Sequence, residues 1–275
     1  MKHARPPVER DAADPVSSAA RVVARDTEAM VRRAVARKEV LLAFQPVVNA
    51  ARPDRPAFYE GLIRLLDDAG RIIPAGDFMQ AVEVTETGRQ IDCLALEMGF
   101  IALSRDPALR LSVNMSARSI GYARWMATLR RGLSNDPTAA ERLILEMSAD
   151  SAMLTPDTTG AFLREFQTRG VTFALDDFGA GTTSFRHLRE FMFDILKIDG
   201  QFIRGVSGNT DNQCVTQALI GVGKAFGVVT IAESVESEAD ARFLARSGID
   251  CMQGYYFGAP SVTPPWRIPR ARKSA

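Results

Sequence analysis

The chain has 275 residues, 46% of them hydrophobic, and a net charge of +1 from 34 basic and 33 acidic side chains. That length suits one large α/β domain, and the balanced charge excludes a global field that would draw nucleic acid or an anionic membrane, so neither partner is expected. Three scattered cysteines, Cys93, Cys214 and Cys251, exclude a disulfide framework, and no stretch reads as a secretory signal or nears the ~20 apolar residues of a membrane span, so a cytoplasmic location is expected.

Residues 1–35 read as a polar N-terminal tail and a helix. The first 17 or so are rich in Pro, Asp and Arg, a composition predicted to be disordered. Residues 18–38 set Val22, Val23, Met30, Val31 and Val35 on a rough stripe, which could cap the domain or pair with another chain. From 36 to 262 short apolar runs alternate with helical patterns. The runs are LLAFQPVV (41–48), FYEGLIRL (58–65), LRLSVNM (109–115), LILEM (143–147), VTFALDD (171–177), DILKID (194–199), VVTIAE (228–233) and MQGYYF (252–257). The loop between the first two is too short for a helical crossover, which predicts an antiparallel pair.

Helical periodicity joins Ile91, Leu94, Ala95, Met98 and Ala102. Pro156 and Gly170 bracket a helix carrying Phe162, Leu163 and Phe166. Another stripe joins Val215, Ala218, Leu219, Val222 and Phe226 and stops at Gly227, and Ser237 with Asp240 resembles a capping box. Residues 263–275 form a basic, Pro-rich tail, expected to be solvated. Eight strand candidates alternating with helices predict an α/β fold, a TIM-type (β/α)8 barrel.

The polar residues that interrupt these runs fall where such a barrel places its chemistry, at the C-terminal strand ends. They are Glu60, Asn114, Glu146, Asp176, Asp177, Lys197, Glu233 and Gln253. Singly, a strand-end acid is more often a helix cap or a loop ion pair, and a lysine there can snorkel from the rim. Jointly they imply a shared cup. Two carboxylates ~4 Å apart repel by about 4 kcal/mol at an effective dielectric near 20, so five together need cations. Carboxylate and amide oxygens favour Mg²⁺ or Mn²⁺, and with only His3 and His187 available a histidine-built site is excluded. Two such metals suit phosphodiester hydrolysis. His187, Trp125, Cys93 and Cys251 read as ordinary packing or surface residues.

The same runs resemble the signature motifs of the EAL-domain family. YEGLIRL matches the motif that names it, here Glu60-Gly61-Leu62; FQPVV, SVNMSAR, LDDFGAGTTS, LKID, AESVE and MQGYYFGAP match its other strands in order. The resemblance covers roughly residues 36–260. It implies a modified (β/α)8 barrel with one antiparallel strand, and a cyclic di-GMP phosphodiesterase that uses two Mg²⁺ or Mn²⁺ ions and releases pGpG. By position, Glu60, Asn114, Glu146 and Asp176 would bind the first metal. Asp176 would bridge to the second, near Asp177 and Glu233, and Lys197 would orient the attacking water. Gln45, Arg64 and Gln253 would contact the ligand, and Glu236 would support the site from behind.

Five departures stand out. Gly61 replaces an alanine, with a modest effect expected. Ala149 and Thr182 stand where the family sets a glutamate and a tyrosine that anchor the loop after the paired aspartates, with Asp150 a partial substitute. Gly200 and Ala259 replace basic residues. The changes at Ala149 and Thr182 leave a catalytically weak or inactive barrel, acting as a cyclic di-GMP receptor or a protein-interaction module, as the alternative. Fewer than 40 residues precede the first strand. Regulation is therefore expected from expression, a protein partner or self-association, with a homodimer expected by analogy.

Overall fold

The computed structural model describes residues 15–180 and 191–267, with backbone only for 15–22 and 267. Eight strands close a barrel: β1 (Val40–Asn49), β2 (Arg52–Leu66), β4 (Leu111–Asn114), β5 (Leu143–Ser148), β6 (Thr172–Phe178), β7 (Ile195–Ile198), β8 (Val229–Ala232) and β9 (Cys251–Gln253). A short β3 (Ile72–Pro74) adds a hairpin to β2. β1 runs antiparallel to both its neighbours, β2 and β9, and the other six contacts around the barrel are parallel. The odd strand is therefore the first, as its tight link to β2 predicted.

Helices α1 (Pro15–Arg37), α2 (Glu86–Arg105), α3 (Ala123–Asn135), α4 (Pro156–Gln167), α5 (Thr210–Phe226) and α6 (Glu238–Ser247) accompany the barrel. α1 settles the choice left open by its stripe only in its second half. Val31, Ala34 and Val35 join the core, whereas Val23 stays exposed. α4 starts with Pro156 in its first turn and buries Phe162, Leu163 and Phe166, with Trp125 tilted against Phe162 at 5.8 Å. Ser237 caps α6 by accepting a hydrogen bond from the Asp240 amide at 3.1 Å.

Three expectations change. The inner face of α5 is Thr216, Leu219, Ile220 and Gly223, while Val215, Ala218 and Phe226 are exposed. The helix rotates because Gly223 rests on Thr230, where any Cβ would collide. The last strand stops at Gln253, and Tyr255 and Tyr256 lie on an exposed turn. The tail is not solvated from its start: Trp266 packs on Phe44 and Tyr59, both at 4.8 Å between ring centroids.

Inside the barrel the two-residue strand period builds two layers. Val47, Phe58, Ile144, Ala174, Ile195, Ile231 and Cys251 form a buried apolar floor. Two residues along each strand, on the same face, stand Gln45, Glu60, Glu146, Asp176, Lys197, Glu233 and Gln253. Each barrel strand but β4 thus contributes one apolar and one polar inward position; β4 contributes Ser112, level with Ile144, and Asn114, level with Glu146.

Candidate active site

The polar layer centres on Lys197, whose side chain is 1% exposed. Its Nζ lies 2.7 Å from Glu233 Oε1, 2.8 Å from Glu146 Oε2, 3.3 Å from Asp176 Oδ1 and 3.5 Å from Glu60 Oε2. One ammonium thus faces four carboxylates carried by four different strands or strand ends. Asn114 Nδ2 donates to Glu60 Oε1 at 2.8 Å. Gln253 Nε2 donates to the other Glu60 oxygen at 2.5 Å and to Gln45 Oε1 at 3.0 Å, while Gln45 Nε2 donates to the Gly258 carbonyl.

Asp177 needs a special backbone. Strict alternation would point it out of the barrel after Asp176. The β6–β7 register shifts between Leu175 and Phe178, and Asp177 takes a φ of +55°. This bulge re-aims the side chain. Asp176, Asp177 and Glu233 consequently present oxygens within 4.8 Å of one another, a spacing that could hold a metal ion.

The cluster carries more negative charge than Lys197 can balance. Burial pushes the Glu146 carboxyl up to about 8, aided by repulsion from Glu60 and Asp176 and opposed by Lys197. Burial and Asp176 likewise raise Glu233 well above the carboxylate range, and burial, Asp176 and Asp199 raise Asp177 to about 6. Burial opposes ionisation of Glu60 too, but Lys197 and the amides of Gln253 and Asn114 outweigh it and lower its pKa. Lys197 is desolvated, yet the surrounding acids hold its pKa well above the ordinary value. Glu146 Oε1 is buried with no hydrogen-bond partner.

Above this layer opens a cleft of about 310 Å³, lined by Gln45, Glu60, Arg64, Glu233 and Gln253 together with Arg204. Volumes of this order are typical of small-molecule sites. Arg64 is half-buried and donates to the Ile63 carbonyl at 2.9 Å.

The model of the family described as EAL domain matches residues 28–260. The chain belongs to the EAL-domain family. Cyclic di-GMP phosphodiesterase PdeB of Shewanella oneidensis is 28% identical over 84% of the chain and 27% of its own length. PdeF of Escherichia coli, also named a cyclic di-GMP phosphodiesterase, is 29% identical over 86% of the chain and 32% of its own length. The chain therefore spans about a third or less of these relatives. Among solved structures, the PaMucR phosphodiesterase in complex with c-di-GMP superposes with a TM-score of 0.75 at 27% identity, covering 86% of this chain and 97% of that one. The FimX EAL domain of Pseudomonas aeruginosa bound to c-di-GMP has the same fold, with a TM-score of 0.78 at 24% identity, covering 86% and 97%.

In this EAL domain Gly61 is fitted to its surroundings. An added Cβ would stand 3.1 Å from Leu42 and 3.2 Å from the Ser112 carbonyl, so alanine would require a small shift of Leu42. Ala149 is 3% exposed and opens a single helical turn, while Asp150 beside it is exposed. Thr182 and His187 lie outside the described residues. Glu236 does not stand behind the carboxylates. It lines the cleft, with its side chain 54% exposed and its Oε1 3.7 Å from Arg204 Nε.

Two contributors escaped the sequence reading. Arg204 sits beyond the LKID motif with no periodic signal to mark it. Asp92 lies buried in the α2 stripe, where its Oδ2 accepts from Ser119 Oγ at 2.6 Å and the Ser116 amide at 3.0 Å. It thereby ties down the loop that follows Asn114. An acid inside an apolar stripe was the available clue.

Proposed function

We propose that this EAL domain hydrolyses cyclic di-GMP to the linear dinucleotide pGpG with two Mg²⁺ or Mn²⁺ ions. The observation that carries the reading is the convergence of four carboxylates on one lysine, with Asn114 bonded to Glu60 and Asp177 beside Asp176 and Glu233, beneath an arginine-lined cleft. The donor set fits hard cations: its donors are oxygens, it has surplus negative charge, and Glu146 Oε1 is buried without a partner. Glu60, Asn114, Glu146 and Asp176 would hold one ion, and Asp176, Asp177 and Glu233 the other. Bound there, the ions supply charge to offset that developing on the phosphate oxygens and make water easier to deprotonate.

The side chains of the chain do the rest. Arg64 grips a phosphate with its two-pronged guanidinium. Gln253 and Gln45 hold Glu60 in place and line the approach of the nucleotide. Lys197 orients the attacking water, and Glu233 takes up its proton. The water oxygen bonds to phosphorus while the bond from phosphorus to one ester oxygen breaks, and that oxygen gains the proton the water lost by way of Glu233, which opens the ring. The apolar floor keeps this chemistry out of bulk water, where the same charges would count for less.

Purified protein incubated with cyclic di-GMP and Mg²⁺ or Mn²⁺ should release pGpG, and Glu60→Ala should lower the rate by at least about 10². Ala149 supports a second reading, because a buried methyl stands where the family places its loop-anchoring glutamate. Binding without turnover by the wild type, with turnover gained in Ala149→Glu, would make the domain a cyclic di-GMP receptor. No turnover and no binding by any of the three would sink both readings.

A further inference from the structure

The reading of the cleft as a nucleotide site leaves one cation unassigned. Arg204 closes the helical turn Gly200–Ile203 after β7 and lines the same cleft as Arg64, which arrives from β2. Its side chain is 59% exposed, yet it is tethered. Its Nη2 donates to Ser234 Oγ at 3.1 Å, and its Nε lies 3.7 Å from Glu236 Oε1.

The tether depends on two unusual residues. Ser234 holds a φ of +53°, a left-handed backbone that costs a residue with a Cβ on the order of 1 kcal/mol. Opposite it is Gly200. A Cβ there would stand 2.7 Å from Ser234 Cβ, collide with Ser234 Oγ, and lie 3.2 Å from Arg204 Nη2. The missing side chain at 200 is therefore the space in which the Ser234 hydroxyl sits and from which it reaches Arg204. A left-handed serine thus faces a glycine, and both lie against the same arginine.

We propose that Arg204, presented by Ser234 in the space left by Gly200, is a second phosphate-binding residue of the cleft. It takes the phosphate of a two-phosphate ligand that Arg64 does not hold. Tethering to Ser234 and Glu236 uses Nη2 and Nε, which leaves Nη1 and the outer face of the guanidinium for an anion. The inference rests on the cyclic di-GMP reading, and the two can fail separately.

The test is equilibrium binding of cyclic di-GMP to the wild type, Arg204→Ala, Arg64→Ala and the double variant, with Ca²⁺, which takes longer and looser oxygen coordination, in place of Mg²⁺ or Mn²⁺ to halt turnover while the cluster keeps its cations. Loss of one charged hydrogen-bond donor should weaken binding about tenfold in each single variant. Because the two arginines serve different phosphates, the double variant should lose the product of the single losses. Ser234→Gly, which keeps Arg204 but frees it, should show a smaller loss than Arg204→Ala, and Arg204→Lys should recover part of the affinity. Unchanged binding in Arg204→Ala, with thermal melting showing it folded, would overturn the assignment and leave the cyclic di-GMP reading standing. A double variant no weaker than Arg64→Ala alone would also overturn it. A wild type that does not bind cyclic di-GMP would overturn both.

Discussion

Lys197 shows how one residue can serve folding and chemistry together. It is fully desolvated, and four acids around it make its ammonium worth keeping. Removing one partner from a buried charge cluster costs more than the pair contributes, because the other charges are left uncompensated. Lys197→Met should therefore lower stability by about 3–5 kcal/mol at pH 8 in EDTA, measured by chemical denaturation. The loss should shrink at pH 5, where protons can replace the missing cation.

The same cluster sets a pH dependence in the parent protein. Glu146, raised to about 8, Glu233, raised well above its usual range, and Asp177, raised to about 6, all bind protons more readily folded than unfolded. Stability gained from such groups appears as pH falls from above the folded value toward the unfolded one. The lowered Glu60 acts below that window and Lys197 above it. In EDTA the melting temperature should accordingly rise between pH 8.5 and 6. Mg²⁺ or Mn²⁺ should raise it most at the alkaline end, where ions replace protons. A melting temperature indifferent to both pH and metal would refute this account of the cluster.

At the scale of elements, the legible parts of the site were those that follow strand alternation. Glu60, Glu146, Asp176, Lys197 and Gln253 each sit two residues beyond a floor residue, so their convergence could be read from the period of two. Asp177 could not, because its orientation depends on a bulge and a left-handed backbone that alternation does not encode. Arg204 and Ser234 depend on a gap left by a glycine across the barrel rim, a relation invisible along the chain. The face of α5 was misread for a similar reason: hydrophobicity favoured Val215 and Phe226, while close approach at Gly223 decided the rotation.

Asp92 illustrates a helix supporting a strand end. Burial pushes its carboxyl up to about 6, against the hydrogen bonds from Ser119 and the Ser116 amide. An asparagine can accept both bonds without a buried charge. Asp92→Asn should therefore match or exceed the parent in stability at pH 8, by on the order of 2 kcal/mol. The difference should fade toward pH 4, where the aspartate is itself protonated. Lower stability at pH 8 would show that the charge strengthens those bonds by more than its burial costs.

At the scale of the molecule, the barrel was legible because strand and helix signals alternated and the first loop was too short for a crossover. The antiparallel β1 followed from that loop alone. What the chain did not announce was the packing of Trp266 against Phe44 and Tyr59. A single aromatic in a Pro- and Arg-rich stretch carries no period, so only tertiary contact reveals its role.

The apolar floor has one more consequence. Seven apolar side chains lie beneath the charged layer, and among the described residues the cup opens on the side lined by Arg64 and Arg204. On the proposed function, an arriving cyclic dinucleotide and a departing linear one would share that opening, and the domain would have to empty before it could fill again.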